Sequence, residues 1–209
     1  MNICCEPLDY HFELPERPER IVSLNAGTTE TLVSLGCSER LAAISPFCGH
    51  YSPGLQLPVA GDYFEADETL LNDIGPDLIL ISTGIQRSLG QQLIRRGLPV
   101  YALPLPCSFY GILENIITLA GLVNAMAEGR KLCDRMLDRI SALHSHSPAV
   151  RPKAHVELWI DKDVRTIGGR SYVHDVVAMA GGGPLFGYRR EGYLPLSKEI
   201  LDAAANRKP

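Results

Sequence analysis

Two patterns of hydrophobic spacing alternate along the chain. Short stretches that are apolar at nearly every position alternate with segments whose apolar residues recur at helical spacing. The first stretch is Ile21-Val22-Ser23-Leu24, followed by the polar turn "NAGTT" and a segment in which Leu32, Val33 and Leu35 precede Gly36. That order predicts a strand, a turn and a short helix ended by glycine. Further strands are predicted over 41–45, 57–61, 76–82 and 98–104. Two more helices are expected, over 66–75 and 87–97, the latter with Leu89, Leu93 and Ile94 on one side and Gly97 as its stop. Five strands alternating with helices of about ten residues indicate a parallel sheet with helices on both faces. Strands as uniformly apolar as "LILI" at 78–81 are buried on both sides.

Residues 108–147 read as helical throughout. Leu132, Met136, Leu137, Ile140 and Leu143 stand at helical spacing in the second half. A helix of about 20 residues is about 30 Å long and can bridge two lobes. After Ser147-Pro148 and Arg151-Pro152 a second strand-first unit begins. It consists of a strand over 154–160, a polar loop over 161–171, a helix over 172–182 and a terminal helix over 197–206. The fold class is therefore α/β. The expected organisation is an N-terminal extension (1–19), a first lobe (20–107), a helical segment (108–147) and a partial second lobe (148–209).

Composition narrows the function. The chain has 209 residues, 45% hydrophobic and 21% charged, with a net charge of −4. There is no basic excess of the kind that marks a nucleic-acid binder, and no apolar run approaches the roughly 20 residues of a membrane span. The N-terminus "MNICCEPLDYHFELPERPER" lacks the apolar stretch of a signal peptide. Six cysteines, at 4, 5, 37, 48, 107 and 133, are too scattered for a disulfide scaffold. Cys48 and His50 offer two metal ligands, and His144 and His146 another two, but the sequence supplies no further partners at zinc-site spacing. No G-x-S-x-G, P-loop or H-E-x-x-H motif is present, and "IGGRS" (167–171) is only a fragment of a phosphate loop.

Several stretches together resemble the helical-hinge substrate-binding proteins of ABC importers, the family that captures cobalamin and iron–siderophore complexes. They are "PERPERIVSLNAGTTETLVSLG", "FCGHYSP", "LPVAGDYFEADETLLNDIGPDLILIS", "LIRRGLPVYAL", the long helix, "IGGRSYVHDVVAMAGG" and "LPLSKEIL". The resemblance covers about Pro15 to Asn206. It implies two Rossmann-like lobes joined by one long helix, ligand held between them, no catalytic residue and no resident cofactor. It also implies that the second lobe continues beyond Pro209 with a Pro-Asp strand and a helix, so the chain is expected to be a C-terminally truncated member. A glutamate on each lobe is expected to meet arginines of an importer permease. Glu199 in "SKEIL" matches one position, and Glu68 in "DETLL" is the nearest match to the other, one residue farther from Pro76 than the family pattern, with Asp67 and Thr69 as alternatives. The resemblance points to the periplasm or cell surface, whereas the N-terminus as written points to the cytoplasm.

Candidate ligand contacts follow from the general rule that doubly wound sheets bind beyond the carboxyl ends of their strands. After the first strand these are Asn25, Gly27, Thr28 and Thr29, which equally suit a helix cap. After the second come Phe47 and Tyr51, and after the third Tyr63 and Phe64. Aromatic faces with polar edges on these loops suit a planar macrocycle, or form a small core under the loops. In the second lobe the candidates are Trp159, Arg165, Tyr172 and Tyr193, with Arg189 and Arg190 as further cations. Mostly aromatic and polar candidates favour cobalamin over a multiply anionic ferric siderophore or haem. A cytoplasmic corrinoid-binding or sensing module and an α/β enzyme are the remaining readings.

Overall fold

The computed structural model describes residues 1–144, 148–160, 163–198 and 200. The chain falls into two compact units: Met1–Leu105 with Asn115–Leu132, and Pro106–Glu114 with Cys133–Pro209.

The first unit is built on a parallel sheet of β3 (Ile21–Ser23), β4 (Leu41–Ile44), β5 (Leu78–Ser82) and β6 (Val100–Leu103), in the order β4-β3-β5-β6. The central strands are apolar on both faces because both are covered. Ile21, Val22, Leu78, Ile79, Leu80 and Ile81 are fully buried. The covering helices are α1 (Ala26–Ser34), α3 (Glu68–Ile74) and α4 (Arg87–Arg95), with the one-turn α2 (Cys48–Tyr51) after β4. Polar side chains start two of them: Asn25 Oδ1 accepts from Thr28 N at 3.1 Å, and Asp67 Oδ1 from Leu70 N at 2.9 Å. At the amino end of the sheet, Asp77 fixes the start of β3 to the start of β5. Its carboxylate accepts from the Glu19 and Arg20 amides, both at 2.9 Å, and from the Arg20 guanidinium at 2.6 Å. Burial pushes the Asp77 carboxyl upward, but these donors outweigh it and hold the group below its ordinary range.

Two expectations for this unit are corrected. The strand over 57–61 is reduced to one parallel bridge, Ile44 to Val59. Pro58 has no N–H to donate and offers only its carbonyl, to Ile44 N at 3.0 Å, and at Gly61 (φ +149°) the chain enters a turn. Residues 1–19 are part of the unit and not an appendage. β1 (Asn2–Cys5) and β2 (Tyr10–Glu13) form an antiparallel hairpin. Cys5, Leu8, Phe12 and Leu14 from this segment are buried in the core. Cys5 Sγ accepts from Ala102 N of the edge strand β6 at 3.3 Å, so the hairpin covers a backbone edge that would otherwise be open.

Two long helices follow, α5 (Phe109–Leu122) and α6 (Met126–His144), each with residues in both units. Their connection turns at Asn124, which adopts φ +52°. It is held by Arg40, whose guanidinium donates to Val123 O at 2.7 Å. Among the described residues no helix is long and apolar enough to cross a membrane.

The second unit carries β7 (Lys153–Ala154), β8 (Glu157–Ile160), β9 (Asp163–Ile167), α7 (Tyr172–Met179), β10 (Gly183–Pro184) and β11 (Tyr193–Pro195). β10 and β7 pair in parallel, while β11-β9-β8 form an antiparallel sheet. The expected loop over 161–171 therefore contains a strand. Its charges obscured the β-branched residues Val164, Thr166 and Ile167, and Thr166 Oγ1 ties the strand to Val156 O at 2.8 Å. Phe186 and Leu194 are the buried centre of this unit. The terminal helix expected over 197–206 lies almost wholly outside the described residues.

Candidate functional site

In the first unit the parallel strands direct all their carboxyl ends to one side, and the loops leaving that side carry the aromatic side chains. Phe47 precedes α2 and Tyr51 ends it. Tyr63 and Phe64 occupy a tight turn in which Gly61 and Ala66 pair as an antiparallel bridge. Phe47 and Tyr63 stack with ring centroids 4.9 Å apart and planes 17° from parallel. Such a pair contributes about 0.5–1.5 kcal/mol beyond the area it buries. Around it Tyr51 is 65% exposed, Phe64 61% and Phe47 39%. Ile85, after β5, and Leu105, after β6, are also exposed at the carboxyl end. Sequence reasoning missed both, and their only signal was an apolar residue on a loop beyond a strand.

The turn holding Tyr63 is fixed from within. Asp62 Oδ1 accepts from Phe64 N at 2.7 Å and Glu65 N at 3.0 Å, and Asp62 N donates to Glu65 O at 2.8 Å. The two amides hold the Asp62 carboxyl below its ordinary range. Burial, with the neighbouring Cys48 and Tyr51 groups adding to it, pushes the Tyr63 phenol upward, so Tyr63 stays protonated at neutral pH. Gly61 is required here, because a Cβ would run into the carbonyl oxygen of Glu65.

Beneath the aromatics lie buried polar groups. Thr29 Oγ1 is 2.8 Å from Ser23 Oγ, 3.1 Å from Asn25 O and 3.0 Å from Cys48 Sγ, and Ser45 Oγ is 3.1 Å from the same sulfur. Cys48 is thus a buried hydrogen-bonding thiol under Phe47. Gln86, fully buried, joins three segments through one amide: it accepts from Ser82 N and donates to Leu24 O and Asp62 O. The role of Gln86 was not anticipated, because a lone glutamine after an apolar strand looks like a solvent-facing residue until the loops close over it.

The candidates after β3 separate accordingly. Thr28 and Thr29 are buried, and Thr29 faces inward because it lies on the core side of α1. Asn25 is committed to capping, with Thr28 N and Thr28 Oγ1 both on its Oδ1. Gly27, in the first turn of α1, is exposed. Glu68 begins α3 beside its cap and forms an ion pair with Arg96 at 3.0 Å.

In the second unit Arg165 lies half-buried on β9, opposite Leu158 and Pro195. Tyr193 pairs with Ile167 on β11, and Tyr172 opens α7 behind its Ser171 cap. Arg189 is committed to Glu191 at 2.8 Å. Trp159 belongs to β8, but its side chain is outside the described residues, as is Glu199 entirely.

Comparisons with known proteins agree with this architecture. The cobalamin-binding protein of Halobacterium salinarum is 24% identical over 195 residues, covering 90% of this chain and 52% of the relative. The chain thus spans about half the length of this curated relative. Among solved structures, the periplasmic vitamin B12-binding protein BtuF of Vibrio cholerae superposes with a TM-score of 0.72 at 22% identity, covering 91% of this chain and 74% of that one. The periplasmic heme-binding protein HutB of Vibrio cholerae gives 0.74 at 23% identity, covering 88% and 72%. The profile described as periplasmic binding protein matches residues 21–207, and the chain belongs to that family.

Proposed function

We propose that this protein is a non-catalytic solute-binding protein that takes a large, flat, weakly charged macrocycle of the corrinoid type and delivers it to an ABC importer. The observation that carries this reading is the stacked Phe47–Tyr63 pair, flanked by exposed Tyr51 and Phe64 at the carboxyl end of the parallel sheet. Flat aromatic faces that are ordered before binding match a flat ligand without an ordering cost at the moment of contact. The charge at this edge points the same way. Asp62, Glu65, Asp67 and Glu68 surround the turn, a poor setting for a multiply anionic ferric complex and a tolerable one for a near-neutral corrin ring. The cobalamin-binding relative supports the ligand class, and the family supports a periplasmic or cell-surface setting.

The test is parallel titration with cyanocobalamin, haemin and a ferric catecholate siderophore. Cyanocobalamin should bind best, and Phe47→Ala with Tyr63→Ala should weaken it at least tenfold while the far-UV spectrum is unchanged. Stronger binding of haemin, or an unaltered affinity in the double variant, would refute the ligand assignment.

A further inference from the structure

The family resemblance says nothing of what holds the aromatic pair at its height above the sheet. We infer that Gln86 is the positioning residue of this platform: its side-chain amide sets where the 61–66 turn, and with it Tyr63, stands relative to the ends of β3 and β5. The side chain is fully buried. Its oxygen accepts from Ser82 N at 2.9 Å, and its nitrogen donates to Leu24 O at 2.9 Å and to Asp62 O at 3.2 Å. These partners are the last residue of β5, the residue after β3, and the residue before Tyr63. A primary amide has two donors and an acceptor in one rigid plane, so three backbone segments are held at fixed mutual distances by one group. No other uncharged side chain of this size offers two donors and an acceptor.

Glutamate tests this because it has the same shape and the wrong chemistry. An ionised carboxylate at position 86 has no donor: one oxygen could still accept from Ser82 N, but the other, in place of the amide nitrogen, would be set against the carbonyls of both Leu24 and Asp62. The turn would be pushed off the sheet and the Phe47–Tyr63 stack broken. Protonation returns one donor. Burial beside two carbonyl oxygens raises the pKa of such a carboxyl, so the platform should re-form on mild acidification.

The experiment uses the whole chain labelled with 3-fluorotyrosine. The Tyr63 resonance is assigned by Tyr63→Phe, and its unstacked position is defined by Phe47→Ala. In Gln86→Glu at pH 8 the Tyr63 signal should move to the unstacked position and return as the pH is lowered. In Gln86→Met, which keeps the volume and loses every hydrogen bond, it should stay displaced at all pH values. A Tyr63 resonance at its native position in both variants would overturn the assignment. A second arm rests on the corrinoid reading: cyanocobalamin affinity should fall about tenfold in Gln86→Glu at pH 8 and recover with the resonance. A displaced resonance with native affinity would refute the link from platform to binding. A native chain that binds no cyanocobalamin would remove the corrinoid reading instead, and the resonance would still decide the role of Gln86.

Discussion

Arg40 offers the most exacting test of the packing argument. It is only 8% exposed, and each hydrogen bond its guanidinium makes in the structure is to an uncharged group. It donates to Val123 O at 2.7 Å, to Pro18 O at 3.4 Å and to Cys37 Sγ at 2.6 Å, joining the turn after α5, the lead into β3 and the end of α1. Consider Arg40→Met, which keeps most of the aliphatic stem and removes the charged head. The short bond to Val123 O is of the charge-assisted kind, contributing about 1.5–3 kcal/mol, and its loss leaves a helix-end carbonyl without that donor. The bonds to Pro18 and Cys37 add little, one being long and the other to sulfur. Against this stands the relief of a buried charge that has no ion-pair partner among the described residues, which offsets part of the loss. The net expectation is destabilisation by about 1–2 kcal/mol. For a chain of this size that is roughly 2–8 °C in the melting midpoint. Urea denaturation followed by circular dichroism measures it directly, with Arg40→Lys expected in between, because an ammonium keeps the charge but lacks the reach of the guanidinium fork. A variant Arg40→Met as stable as the native chain, or more so, would show that desolvation outweighs the clamp and would refute the reasoning.

Two further outcomes concern acidic residues at the carboxyl end of the sheet. The Asp62 carboxyl has a folded pKa below its unfolded one, so its contribution is present above the unfolded value and lost as the pH falls through the folded value. The amides of Phe64 and Glu65 should therefore keep their hydrogen-exchange protection through the ordinary carboxyl range, around pH 4, and lose it only at lower pH, and Asp62→Asn should remove that pH dependence. Glu68→Gln should cost under about 0.5 kcal/mol of stability, since its ion pair with Arg96 is solvent-exposed, yet lower importer-dependent uptake. Unchanged uptake would exclude Glu68 from docking.

The first unit was largely legible in the sequence because its signals are local. Ile21–Leu24 is apolar at every residue but the buried Ser23, and Leu78–Ile81 at every residue, and only a strand covered on both sides tolerates that. Asn25, Asp67 and Gly36 mark helix ends by chemistry that acts within a few positions. What escaped depends on distant partners. Ile3, Cys5, Phe12 and Leu14 alternate as strands do, but the hairpin gains its stability from the edge of β6, nearly 100 residues away. Val164–Ile167 was hidden by Asp163 and Arg165, whose charges are tolerated on a half-exposed antiparallel strand. The aromatics of the site were found by topology alone, from their place after strands. Thr29 and Cys48 were singled out for other roles and Gln86 not at all, since a threonine, a cysteine and a glutamine become a support only when β3, β4 and β5 bring them together.

That support explains why one end of the sheet, and not the other, is the place to look for a ligand. The connections entering the strands at the amino end, residues 14–20, 37–40, 75–77 and 97–99, contain no aromatic residue, and Asp77 and Arg20 close that end with a compact polar clamp. The connections leaving at the carboxyl end contain Phe47, Tyr51, Tyr63 and Phe64. These hang from a four-residue helix and a tight turn, pieces too short to be stable alone. Rings exposed on such loops cost hydration free energy and would collapse onto the nearest apolar surface unless held. Here they are held, by the Thr29–Cys48–Ser45 contacts under Phe47 and by Gln86 and Asp62 around Tyr63. Ordering one such side chain at the moment of binding costs about 0.5–1.5 kcal/mol. Phe47 and Tyr63, ordered in advance by their stack, would thus spare a complex about 1–3 kcal/mol, up to about two orders of magnitude in affinity. Under the proposed corrinoid reading, the buried polar groups set beneath these exposed aromatics keep the surface ready for a flat ligand.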